Sequence, residues 1–400
     1  VGSRSHVISS VEAFVLVGNK DYAADAGLAT PGSGLPKPAA RPLSEIGDLH
    51  ICAYPPQAQT CLVKITDDQG LIGWGEAHAP LGPRATAAVV IDVLAPIVIG
   101  KDPLAIEVHW QRMYGSQRLR GHLAGYHMEA LSGVDIALWD LAGKILDQPV
   151  YQLLGGPFRT SLPAYASGVP GATPEERARS VERFIAEGYT TVKASIGRGD
   201  VDSDLGGLHP LVDVARGKAD VLVDAHGAYT ADTALHVGRQ LESMGVKWFE
   251  DPLPPEDIGG YVELARALEM LVVGGETECT SFQYLERLKA GAQDLLLPDV
   301  CRAGGITEGR RIADVAHLFN RRWAAHVSMG SSVHVAAAAH LAAASGNFLV
   351  FEFPSSPNPI GDDLLTQPLR PNQGFIDVPH GPGLGIEFDR DRLAEHLIDV

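Results

Sequence analysis

VLVDAHGAYTADTALHVGRQLESMGVKWFEDPLPPEDIGGYVELARALEMLVVGGET, residues 221–277, repeats one unit along its length. Short apolar runs open each pass, at Val221 to Ala225, Val246 to Phe249 and Leu271 to Val273. An acidic residue stands at the end of each run: Asp224, Glu250 and Glu276, spaced 26 residues apart. Similar runs continue in both directions, at Leu162 to Ala166, Thr191 to Ile196, Leu295 to Leu297, Trp323 to Ala325 and Phe348 to Phe351. Many of the gaps are helix-like. Thr173-Pro174-Glu175-Glu176 supplies an N-cap, a first-turn proline and acidic residues for the positive end of a helix. Eight strand–helix units in about 200 residues suit a (β/α)8 barrel. The other arrangement of alternating elements is an open doubly wound sheet, but no glycine-rich nucleotide fingerprint follows an early strand.

The chain before the barrel reads as mixed α and β. Gln59 to Thr66, a turn at Asp67-Asp68-Gln69-Gly70 and Leu71 to Gly75 form a hairpin pattern. A long Ala-, Gly- and Pro-rich stretch between Gly18 and Ala58 with weak periodicity is either disordered or a functional lid. The expected organisation is residues 1–150 as an N-terminal α+β domain with a lid near 18–56. Residues 151–363 form the barrel, and 364–400 return to the first domain.

Of the 400 residues, 45% are hydrophobic and 20% charged, which excludes a wholly disordered chain. A net charge of −17 argues against nucleic acid or an anionic membrane as partner. Cys52, Cys61, Cys279 and Cys301 are too scattered for a disulfide framework or a zinc ribbon, and fit a reducing cytoplasm. The longest apolar candidate, Val333 to Ala344, is interrupted by His334 and His340 and reads as a small-residue helix, not a membrane span. With no secretory pattern at the N-terminus, a soluble cytoplasmic protein is expected.

In a barrel the working residues stand at the C-terminal strand ends. Those ends carry Lys193, Asp224, Glu250, Glu276, Asp299, His326 and Glu352. Three carboxylates converging on one point repel one another unless a divalent cation joins them, and an all-oxygen set favours Mg2+ over zinc or copper. Glu278 competes with Glu276 for the third ligand position, since residues two apart on a strand share a face.

The sequence resembles the mandelate racemase and muconate lactonising branch of the enolase superfamily over nearly its whole length. The resemblance rests on ALSGVDIALWDLAGKILDQPVYQLLGG (130–156), on the strand-end series, and on PDVCRAGGITE (298–308) and HGPGLGIE (380–387). It implies a modified barrel under an α+β cap and one Mg2+ held by Asp224, Glu250 and Glu276. It also implies proton abstraction beside a carboxylate, with His326 and Asp299 as a dyad. Lys193 and Glu352 then serve the enediolate, and Glu276 is the third ligand because it follows Gly274-Gly275 directly.

Two departures shape the expected reaction. Many relatives carry Lys-x-Lys on strand two, but here the text is Lys193-Ala194-Ser195. Serine has no useful pKa near 7, so two-base racemisation is not expected. His226 stands two residues after Asp224, where the family often has Asn; as in some acid-sugar dehydratases, it is the candidate acid for the departing 3-hydroxyl. The expected function is Mg2+-dependent dehydration of an aldonate or aldarate to a 2-keto-3-deoxy acid. The alternatives are cycloisomerisation of a sugar-acid lactone and a non-catalytic Mg2+ or sugar-acid binding protein. Tyr22, His50 and Tyr54 are candidate lid contacts, and Arg118, Arg120 and His122 are candidates for a distal carboxylate. The resemblance also implies a homo-oligomer.

Overall fold

The computed structural model describes residues 6–21, 57–197, 199–328 and 330–398. Most of the lid stretch, with Tyr22, His50 and Tyr54, lies outside the described residues.

The hairpin forms where the turn chemistry directs it. Strands β1 (Ile8–Asp21), β2 (Gln57–Asp67) and β3 (Ile72–Ala77) run antiparallel, with Thr66 opposite Ile72. Asp67 Oδ1 accepts the amides of Gln69 and Leu71 at 2.9 and 2.8 Å, closing the β2–β3 turn around Gly70, whose φ of 83° suits glycine. Two long helices follow, α1 (Ile106–Arg118) and α2 (Tyr126–Leu146). Helix α2 lies backbone to backbone on β3. A Cβ at Gly75 would run into the Gly133 carbonyl and the Ala137 amide nitrogen, so the family-like small residues of α2 permit this approach.

Eight parallel strands make the barrel: β4 (Ser161–Ser167), β5 (Thr191–Ser195), β6 (Asp220–Asp224), β7 (Trp248–Glu250), β8 (Leu271–Gly274), β9 (Leu295–Leu296), β10 (Arg322–Ala325) and β11 (Phe348–Pro354). Each pairs with the next, and β11 pairs parallel with β4 to close the ring. The connecting helices are α3 (Pro174–Ala186), α4 (Val201–Ala215), α5 (Ala231–Met244), α6 (Ile258–Ala267), α7 (Thr280–Ala290), α8 (Gly305–Leu318) and α9 (Ser332–Ala343). Thr173 caps α3, its side chain accepting the Glu176 amide. After β11 the described helices are the single turn Pro359–Asp362 and the seven-residue Arg390–His396, neither of them an eighth long barrel helix, so the barrel is a modified one. Tyr165, Leu222, Trp248, Val273, Leu295, Leu297 and Ala324 pack together inside it. The barrel is a filled core, leaving only its rim for chemistry.

Helix α9 is buried around its whole circumference, His334 and His340 included. His340 bonds the Leu384 carbonyl at 3.0 Å and accepts the Tyr151 amide at 3.2 Å. Its apolar run is thus a core helix, and no helix among the described residues is long and apolar enough to cross a membrane. The C-terminal stretch serves both halves. Strand β12 (Phe375–Asp377) pairs with β4, and β13 (Leu397–Ile398) adds to β1 in the cap sheet.

Candidate active site

The C-terminal strand ends bring the chemistry-bearing residues to one rim. Lys193 enters from β5, 4% exposed, with its Nζ 2.6 Å from Glu250 Oε1, 2.8 Å from Glu352 Oε1 and 3.5 Å from Asp224 Oδ2. The Tyr165 ring lies under the same ammonium, 5.5 Å to its centroid. Burial alone would strip the proton from Lys193, but Glu250, Glu352, Tyr165 and Asp224 outweigh it and hold the group well above the usual lysine range.

His326, at the end of β10, bridges two acids. Its Nδ1 is 2.9 Å from Asp299 Oδ2 and its Nε2 is 2.9 Å from Glu276 Oε2, with Glu352 Oε2 at 4.0 Å. Burial works against the imidazolium; the charges of Glu276 and Glu352 and the hydrogen bonds to Asp299 and Glu276 prevail and raise the ring well above its ordinary value. Asp299 is buried, yet His334, His326 and His78 together keep it well below the usual carboxylate range. Glu352 accepts on both oxygens, from the Ser167 hydroxyl at 2.6 Å and the Val327 amide at 2.8 Å as well as from Lys193. It therefore stands here as an ionised acceptor that holds Lys193.

His226 sits just past β6 with a φ of 47°, a left-handed conformation that costs a non-glycine residue energy. Its amide donates to Asp224 Oδ1 at 3.0 Å and its Nδ1 lies 3.2 Å from the same oxygen, so the strained turn folds the ring back over a predicted metal ligand. The side chain keeps 23% exposure, open to the mouth of the barrel.

Glu276 and Glu278 have different partners. Glu278 is taken by Arg287 of α7, whereas Glu276 faces His326. Ser195 is half-buried at the end of β5 and has no cationic group to offer. Arg118 lies over the Tyr114 ring, and Arg118, Arg120 and His122 are all exposed.

Several neighbours are absent from the strand-end reading. Ser167 and Tyr165 of β4 contact Glu352 and Lys193. Asp251 is half-buried, within reach of the charges of Glu276 and Asp224, and accepts the Tyr261 hydroxyl at 3.1 Å. Arg302 lies 3.8 Å from Glu129 of α2, and its charge reaches Asp299 and Glu276. Arg302 was within reach of the sequence, being part of PDVCRAGGITE; Tyr165 was not, since nothing in a strand run marks which ring will meet a lysine.

The donor set suits a hard divalent cation. Glu250 is fully buried and its Oε2 has no hydrogen-bond partner, a costly arrangement for a carboxylate oxygen. Burial first, then the charges of Asp224, Glu352 and Glu276, push Glu250 well above its usual range despite Lys193. The acids outnumber the positive groups facing them, and all candidate ligand atoms of Asp224, Glu250 and Glu276 are oxygens. These three are not, however, drawn within 4.8 Å of one another; the described groups that are so compact are Glu76-His78-His334, Asp299-Cys301-His334 and His6-Asp67-Asp68.

Comparison with known proteins shows the family and the fold. Residues 52–155 match the family described as the mandelate racemase / muconate lactonizing enzyme N-terminal domain, and residues 176–392 match the enolase C-terminal domain-like family. The chain is 36% identical to a D-galactarolactone cycloisomerase of Agrobacterium fabrum over 346 residues, covering 84% of this chain and 90% of that one. It is 29% identical to a D-xylonate dehydratase of Haloferax volcanii over 377 residues, covering 89% and 90%. The solved 3,6-anhydro-D-galactonate cycloisomerase of Zobellia galactanivorans superposes with a TM-score of 0.84 at 27% identity, covering 98% of this chain and 100% of that one.

Proposed function

The chain belongs to the mandelate racemase / muconate lactonizing enzyme branch of the enolase superfamily, and from that premise we propose that it dehydrates a sugar acid to a 2-keto-3-deoxy acid. The substrate's α-proton is very weakly acidic, so the reaction needs both a base and strong stabilisation of the enediolate. A strand-end His or Lys base working beside Mg2+ is a pattern general to this superfamily.

His326 is the base. Taking the proton requires a neutral ring with a free Nε2 lone pair, so the proton that Nε2 holds against Glu276 has to leave and that contact has to open when substrate enters, while Asp299 keeps Nδ1 protonated. Lys193 donates hydrogen bonds to the negative oxygens as they develop, and Glu352 steadies its ammonium. His226 passes a proton to the departing 3-hydroxyl. Mg2+, held by Asp224, Glu250 and Glu276, supplies when bound further positive charge for the substrate carboxylate. The enol tautomerises to the α-keto product in solution or in the site.

His226 beside Asp224, with no second lysine on β5, carries the choice of dehydration. Hydroxide is a poor leaving group and needs an acid, whereas a lactone ring opened by elimination leaves as a carboxylate and needs none. The second reading, cycloisomerisation of a sugar-acid lactone, draws on the 36% identity to the galactarolactone enzyme. It uses the same base and leaves His226 without work. His326→Asn is the test of the shared step. Turnover of D-galactonate, D-xylonate and D-galactarolactone is expected to vanish while Mg2+ binding persists, and retained turnover would overturn the base assignment.

A further inference from the structure

Asp299 is gripped from a second direction by residues that the proposed reaction does not use. Its Oδ1 receives the Cys301 amide at 2.8 Å and faces His334 Nε2 at 3.1 Å, while only Oδ2 serves His326. His334 Nε2 is also 3.2 Å from the His326 carbonyl oxygen, so one imidazole touches both members of the dyad. The ring is completely buried.

The position of His334 is set from the cap. Its backbone amide donates to Glu76 Oε2 at 3.0 Å, and Glu76 also takes the Ser331 hydroxyl at 2.5 Å and the Ser331 amide at 3.0 Å. The Thr60 hydroxyl reaches the other carboxylate oxygen at 2.8 Å. Glu76 thus caps the first turn of α9 from strand β3 and orients the helix that carries His334. The His78 ring leans on His334 with centroids 5.3 Å apart, and any side chain at Gly330 would collide with the imidazole. The oxygens of Glu76 are already satisfied by protein donors, which makes the Glu76-His78-His334 group a clamp and not a cation site. With its proton on Nε2, His334 donates to Asp299 and leaves only an acceptor, Nδ1, unpartnered.

We infer that His334 is a positioning residue for the base: it locks the Asp299 carboxylate so that Oδ2 meets His326 Nδ1, and Glu76 transmits that placement from the cap to the barrel. The Cys301 amide already holds Oδ1; His334 is a second donor on that oxygen, and the pair fixes the carboxylate plane against turning about its last bond. The inference rests on the assignment of His326 as base.

The experiment is NMR on the full-length protein labelled with 15N-histidine, which needs no substrate. The downfield Nδ1 proton of His326, identified by its loss in His326→Asn, is expected to shift and broaden in His334→Phe and to persist in His334→Gln, which keeps a donor. On D-galactonate or D-xylonate, kcat is expected to fall about 10–100-fold in the Phe variant with KM little changed, as for other residues that orient a catalytic group, and to recover partly in the Gln variant. If the Phe variant does not fold, Ser331→Ala, which removes one Glu76 contact, is expected to shift the same resonance less. An unchanged His326 resonance in folded His334→Phe or in Ser331→Ala overturns the inference. Retained turnover in His326→Asn would instead overturn the base assignment and leave the resonance result standing as a structural one.

Discussion

The two sides of the rim are built differently. Around Lys193, the acidic partners come from barrel strands: Asp224 from β6, Glu250 from β7 and Glu352 from β11, the strand that closes the ring onto β4. Around His326, the nearest partners are also strand-end acids, but the support behind them comes from α9 and from cap strand β3, 255 residues away for Glu76 and Ser331. One side is a cation set among strand-end carboxylates. The other is an imidazole whose carboxylate partner is backed by contacts running from the cap sheet to α9. Charge can therefore be assembled by strand register alone, while aim requires long-range packing.

The largest expected difference between the two sides is chemical. His326→Asn should lower turnover by at least about 100-fold with little change in stability, as loss of a general base does. Lys193→Met should damage both. It leaves Asp224, Glu250 and Glu352 buried without their ammonium, at a cost of about 3–5 kcal/mol in urea unfolding. A Lys193 variant of undiminished stability would break the contrast. His226→Asn should separate the steps, retaining exchange of the C2 proton with D2O while losing the keto product.

The strands were legible because every barrel strand was a short, mostly apolar run, and all but the first led into an ionisable residue at its C-terminal end. The hairpin was legible because Asp67 and Gly70 are turn residues with a local job. Period and local chemistry reached this far. They could not set Glu276 apart from Glu278, because the Arg287 that pairs with Glu278 sits on a different element. Nor could they show that His334, which interrupts an apolar run, faces Asp299 instead of solvent. Arg118, Arg120 and His122 were plausible by charge alone, but the structure leaves all three exposed.

Smaller effects sharpen the same contrast. Gly75→Ala puts a methyl group into the α2 backbone beneath the His326 side, and should cost about 3 kcal/mol, the upper end for overpacking. Burial pulls His340 of α9 down from 6.5 to about 4. Because the folded value is the lower one, the unfolded chain takes up the proton first, and stability should fall as pH drops from 6.5 towards 4. Thermal melts across that window should show a flatter slope in His340→Asn. On the Lys193 side, Thr173→Ala removes a helix cap and should cost only about 1 kcal/mol without touching turnover.

The central claim is that His326 removes the α-proton and His226 helps a hydroxyl leave. The most direct measurement is mass spectrometry and proton NMR of D-galactonate, D-xylonate and D-galactarolactone, each incubated in D2O with the Mg2+-loaded protein. The account predicts that an aldonate is converted to an α-keto acid lighter by one water, with deuterium entering carbon-bound positions. Turnover of the lactone alone, to an isomer of unchanged mass apart from deuterium, would contradict it.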